Sequence, residues 1–141
     1  MNKVATNIDQ MPAGREMDSL VAERVMRIAV FNKQYSPSIQ IPCPDNKPGC
    51  MVAHFKPVPH YSTDIADAWE VVEKITSKQC GDADDFYVFE IIKRYQQWSV
   101  YIHHPLWNGR YNELSPIYEM HEAVADTAPL AICRAALRRI G

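Results

Sequence analysis

Apolar residues recur at three- and four-residue spacing in three stretches of this chain and alternate with polar ones in others. The clearest stretch is Tyr61 to Ile75, where Ile65, Ala68, Trp69, Val72 and Ile75 form one stripe and Asp64, Asp67, Glu70, Glu73 and Lys74 lie outside it. Ser62, Thr63 and Asp64 precede it and offer short side-chain acceptors to the first-turn amides, so a helix is expected to start there, with the rest of the chain arranged around it. A second helix is expected from Pro12, with Met17, Leu20, Val21, Val25 and Ile28 inward and Arg15, Glu16, Asp18, Glu23 and Arg27 outward. At about 100° per residue Arg24 falls inside that apolar stripe. A third helix follows Asp126-Thr127, with Pro129 in its first turn, Leu130, Cys133, Leu137 and Ile140 along one face, and Arg134, Arg138 and Arg139 in its last turns.

Between the second and third helical patterns the periodicity changes to two. Phe86 to Ile92 is rich in β-branched and aromatic residues, and Gln97 to His103 sets Trp98, Val100 and Ile102 against Ser99, Tyr101 and His103. Lys93 to Gln96 is the expected turn between them. Asn108-Gly109 predicts a two-residue turn between His104-Pro105-Leu106-Trp107 and Arg110-Tyr111. A third strand is expected within Ile117 to Ala125, giving a small antiparallel sheet of about three strands. Cys80 to Asp85 reads as the stop after the central helix.

Phe31 to His60 departs from both periods. Six prolines (37, 42, 44, 48, 57 and 59) forbid a long helix there and discourage a central strand. The expectation is an ordered Pro-rich excursion, partly packed down through Ile39, Ile41, Met51, Val52 and Phe55, with a flexible tip at Asp45 to Gly49. Residues 1–12 read as a loose polar arm. The 141 residues make one domain by length, and 47% apolar content is globular. A net charge of −2 argues against non-specific binding to nucleic acid or an anionic membrane, and no apolar run is long enough for a bilayer span. The first fifteen residues lack the apolar core of a signal peptide, so the expected location is the cytoplasm. Cys43, Cys50, Cys80 and Cys133 are then thiols or metal ligands rather than a disulfide framework.

Three blocks, GREMDSLVAERVM at 14–26, PHYSTDIADAWEVVEKI at 59–75 and ADTAPLAICRAAL at 125–137, together resemble the phage ABA sandwich domain family of phage and prophage proteins. The resemblance implies an α/β/α sandwich of the α+β kind, with three helices about a small antiparallel sheet. It also implies a phage origin and hence a bacterial host cytoplasm. It implies no reaction, and the Pro-rich excursion and residues 103–120 lie outside its blocks.

Candidate chemistry falls into three groups. Cys43, Cys50, His54 and His60 supply four zinc-type donors within the excursion, although C-x6-C is longer than the usual knuckle and unliganded thiols and imidazoles are the competing reading. No cofactor is expected, a structural zinc being the one exception these residues admit. Arg24, Arg134 and Arg138 sit at the margins of apolar faces, where a planar fork can grip phosphate or carboxylate; the alternative is a stem covering the core with its head paired at home. Trp98, Tyr101, Trp107, Tyr111 and Tyr118, with Arg94 and Arg110, can stack a nucleotide ring or form a subunit interface. No phosphate loop, G-x-S-x-G, H-E-x-x-H or dinucleotide fingerprint occurs, and the proximity of Glu119, His121 and Glu122 is too common to mark acid–base catalysis.

The expected function is therefore binding without catalysis, by a homo-oligomer. One form is a counter-defence sponge that sequesters an anionic, nucleotide-derived immune signal through Arg24, Arg134, Arg138, Trp98, Trp107 and Arg110. The alternative is an inhibitor or accessory protein that docks onto a host defence protein or another phage protein, through residues 31–60 or the face around Trp107, with no small-molecule ligand. A metal-dependent hydrolase is the third reading.

Overall fold

The computed structural model describes residues 7–76, 88–104, 107–108, 113–114 and 119–140, with backbone only at 103–104, 107–108, 113–114, 119–120 and 140. In chain order the elements are α1 (Arg15–Arg24), β1 (Ser38–Ile41), β2 (His54–Pro57), α2 (Ile65–Thr76), β3 (Val88–Arg94), β4 (Gln97–His104), β5 (Trp107–Asn108), β6 (Glu113–Leu114), β7 (Glu119–Ala125) and α3 (Ala128–Ile140). The class is α+β, with the expected three helices and an antiparallel three-stranded sheet in the order β3-β4-β7.

That sheet is a hairpin joined by a returning strand. Arg94 pairs with Gln97, so the turn is Tyr95-Gln96, with Tyr95 in the left-handed region (φ 56°). Val100, Ile102, Ala123 and Ala125 are buried on one face, while Val88, Glu90, Glu122 and Val124 stay exposed on the other. The Asn108 turn is corrected in register. Asn108 pairs with Glu113 and Trp107 with Leu114, a register that a two-residue loop at Asn108-Gly109 does not give. The expected stop at 80–85 lies outside the described residues.

α3, not α2, is the central element. Leu130, Ala131, Ile132, Cys133, Ala135, Ala136 and Leu137 are all buried, because the helix packs on β4 and β7 on one side and on α1 and α2 on the others. α2 buries Ala68, Val71, Val72 and Ile75, whereas Ile65 and Trp69, expected inside, are about half exposed. Trp69 instead meets Phe89 of β3 edge to face, 6.1 Å between centroids. Asp64 is the cap of α2, accepting from the amides of Ala66 (2.8 Å) and Asp67 (3.1 Å).

α1 is shorter than expected and rotated. Arg27 adopts φ 56° and the Ile28 amide bonds back to the Ala22 carbonyl (2.8 Å), a Schellman-type ending without glycine. Its buried residues are Met17, Asp18, Ser19, Val21 and Ala22, so Asp18 occupies the apolar face and Arg24 is exposed, the reverse of the expected pattern. Residues 7–12 are not loose: Met11 is 7% exposed and Ile8 packs on the core.

The Pro-rich excursion is a β-hairpin. Ser38 pairs with Pro57 and Ile41 with His54, and prolines 37, 42 and 57 lie at strand ends, where the missing amide breaks no ladder. Pro37, Ile39 and Val58 anchor it to the core. Met51 (96% exposed), Val52 (69%) and Phe55 (48%), expected to pack, face outward instead.

Burial also sets an alkaline limit. Desolvation first, then the charges of Glu70 and Asp67, push the Tyr61 phenol from 10.0 up to about 12. Burial and the Asp18 charge also push the Cys133 thiol up. Both folded values are raised, so their stabilisation is whole below the unfolded values and is lost as pH rises through the folded ones. Urea midpoints are expected to fall progressively above pH 10, with a shallower fall in Tyr61→Phe than in wild type.

Candidate functional site

The polar residues with the closest mutual geometry join α1 to the segment leading into α2. Gly14, at φ 152° and ψ −171°, takes a conformation essentially reserved for glycine and opens α1 without a side-chain cap. Its amide donates to Ser62 Oγ (2.9 Å). One turn on, the fully buried Asp18 carboxylate accepts from the Ser62 amide (2.8 Å), the Ser62 hydroxyl (2.6 Å) and Arg15 (3.0 Å). Arg15 also donates to the Val58 carbonyl (2.7 Å) and to His60 Nδ1 (3.0 Å). A guanidinium only donates, so this ring nitrogen accepts and carries no proton. The His60 amide in turn donates to Asp67 of α2 (2.8 Å).

Serine, histidine and aspartate, the residue types of a hydrolytic triad, therefore meet here in an order that does not make one. A nucleophile must hand its proton to a histidine base. Ser62 is buried, gives its proton to Asp18, and has no hydrogen bond to His60. What the arrangement does is lock residues 14–18 to residues 58–67. In the sequence Ser62 stood only as a start signal for α2, and Arg15 and Asp18 were expected on the outward face. The available signal was Asp18 lying between Val21 and Ala22 on the face that packs inward.

The expected zinc set separates into two places. Cys43, Cys50 and His54 bring their donor atoms within 4.8 Å of one another, with Cys50 Sγ 3.4 Å from His54 Nε2. His60 is not among them, because Arg15 and Asp67 hold it at the mouth of α2. The Cys43 thiol is held below its ordinary value by N–H donation, from Lys47 first and then Asp45.

The arginines do not converge on a common cradle among the described residues. Arg134 donates to the carbonyls of Val124 (2.9 Å) and Met11 (2.9 Å). Arg138 donates to the Glu122 carbonyl (2.7 Å) and lies 3.5 Å from Asp9. Glu122 and Val124 are alternate residues on the outer edge of β7, and Arg134 and Arg138 are one turn apart on α3, so the two spacings match and the arginines cover that edge. Arg24 is exposed at the end of α1. Trp98 is half buried with Lys93 Nζ over its ring at 5.4 Å, and Tyr101 points to the opposite face of β4, so the two make no shared stacking platform. The side chain of Trp107, and Arg110, Tyr111 and Tyr118 entirely, lie outside the described residues. A surface cavity of about 430 Å³ is lined by Glu16, Ser19, Leu20, Glu23 and Lys33. Lys33 is already paired with Glu23 (2.6 Å), leaving an acidic wall unsuited to phosphate.

Fold and lock together define a small α+β domain of three helices and an antiparallel sheet, in which one buried carboxylate ties α1 to the segment leading into α2. The chain belongs to the phage ABA sandwich domain family, which it matches over residues 19–137, and it is a phage protein. No curated protein and no solved structure matches it. No helix among the described residues is long and apolar enough to cross a membrane.

Proposed function

We propose that this phage protein acts by binding without catalysis, and that it docks onto a partner protein through the excursion at residues 31–60. The observation that carries the reading is the set of apolar side chains this excursion holds in water: Phe31, Tyr35, Met51, Val52 and Phe55, from 43% to 96% exposed. Phe31 and Phe55 already pack edge to face at 5.4 Å, a preformed aromatic anchor on a short hairpin. Exposed apolar side chains gathered in one excursion, two of them in ring contact, support an interaction site there. With Lys33 paired to Glu23, the remaining charges of the excursion are Lys47 and Lys56 against Asp45, in a chain that is otherwise net acidic. The fitting partner is therefore a protein with an apolar surface edged by Asp and Glu. The nucleotide-sequestering reading has less support, since Arg134 and Arg138 are committed to backbone carbonyls and the Trp98 ring is covered by Lys93.

The test places a photo-crosslinking residue at position 51 in cells producing the protein, followed by titration of the purified, identified partner. Met51→Ser/Phe55→Ser is expected to weaken that binding by tenfold or more, since interface energy concentrates in a few apolar anchors. Unchanged affinity in the double variant overturns the reading. So does a nucleotide that binds the isolated protein stoichiometrically and raises its Tm. A dimer that dissociates in the double variant reassigns the face to a second copy of this chain.

A further inference from the structure

We propose that Cys43, Cys50 and His54 form a zinc site that staples the far end of the β1–β2 hairpin, with water on the fourth vertex. Two thiols and an imidazole are the donor set that zinc selects, and the sulfurs disfavour magnesium or calcium. Zn–S near 2.3 Å and Zn–N near 2.0–2.1 Å in a tetrahedron put donor atoms roughly 3.5–3.8 Å apart. Cys50 Sγ and His54 Nε2 are 3.4 Å apart, and all three donors lie within 4.8 Å, so the cage needs only a small adjustment to close on the ion.

The C-x6-C spacing is accommodated by the turn itself. Asn46 (φ 49°) and Gly49 (φ 76°) both adopt left-handed backbone, folding Cys43 and Cys50 back toward each other. The Asn46 amide donates to the Cys43 carbonyl (3.1 Å) and the Cys50 amide to the Lys47 carbonyl (3.3 Å), closing the turn that carries both thiols. The site also has a structural purpose. Beyond Ile39 and Val58 the hairpin has little core of its own, with Met51 and Val52 in solvent, and a metal supplies order where burial does not. Cys133 is buried in α3 and does not compete. This proposal rests on the donor geometry and stands whether or not the excursion docks a protein.

The test titrates the reduced, chelator-stripped full chain with Co²⁺ alone. One equivalent is expected to produce tetrahedral d–d bands with a thiolate-to-cobalt charge-transfer band, both erased by Zn²⁺. Cys50→Ser and His54→Ala should each weaken binding by at least about tenfold while leaving the far-UV circular dichroism unchanged. Independently of any variant, Zn²⁺ should slow iodoacetamide alkylation of Cys43 and Cys50 several-fold, read by peptide mass. The proposal is overturned by a cobalt spectrum without a thiolate band, by binding unchanged in Cys43→Ser/Cys50→Ser, or by a freshly purified protein that holds a Cys43–Cys50 disulfide in place of metal.

Discussion

Replacing Asp18 by alanine is expected to cost about 2–4 kcal/mol, chiefly because two buried Ser62 donors lose their acceptor. The cost comes from what is left behind. The Ser62 amide and hydroxyl lose their shared acceptor, and Arg15 loses its carboxylate while still held against the Val58 carbonyl. Each buried donor left without a partner carries a desolvation penalty of about 1–3 kcal/mol. Domains of this size are stable by only about 5–15 kcal/mol, so much of the total margin is at stake. Asp18→Asn keeps an acceptor for Ser62 but sets an amide NH2 donor against the Arg15 donor, and should fall between wild type and alanine. Urea unfolding of Asp18→Ala, Ser62→Ala and the double variant should show strong non-additivity, because both single changes break the same bond. A midpoint for Asp18→Ala indistinguishable from wild type would mean that the carboxylate does not join the two segments.

The second large effect is expected at Arg134. Arg134→Ala removes two charged-donor hydrogen bonds, one tying the edge of β7 to α3 and one tying the Met11 carbonyl to the same helix. A loss of about 2–3 kcal/mol follows from the usual worth of such bonds. Arg134→Lys should recover part of it, since an ammonium reaches one carbonyl but lacks the fork that spans both. Arg24→Ala, at an exposed position, should lie within about 0.5 kcal/mol of wild type. The contrast separates two roles that look alike on a helical wheel. If Arg134→Ala keeps full stability and instead abolishes binding of a nucleotide, the guanidinium belongs to a ligand site. Uncovering the β7 edge also exposes unpaired backbone groups, so aggregation on dilution from urea should rise in Arg134→Ala/Arg138→Ala.

How far each element was legible depended on whether its signal was local. α2 and α3 carry enough apolar residues for their existence and approximate ends to be read directly, as do β3, β4 and β7. Which face of each helix turned inward was read less well. In α1 the periodic stripe suggested that Arg24 was the intruder, whereas the buried charge is Asp18. A lone aspartate beside Met17 looks like an outward residue until Ser62, 44 positions away, supplies the donors that let it stay inside. The same holds for the metal set. Four donors within one loop were visible, but only the turn at Asn46 and Gly49 joins three of them, and only Arg15 removes His60.

Periodicity, capping residues and turn chemistry act over a few residues, and they alone determined that this phage protein has three helices, an antiparallel sheet and a proline-punctuated excursion. Tertiary structure decided the rest: that α3 is the centre, that a buried aspartate locks the first helix to the second, that arginines cover a strand edge, and that an apolar hairpin end faces water. Those outcomes depend on partners distant in sequence, because the cost of burying a charge or exposing an apolar face is set by whatever the folded chain brings beside it.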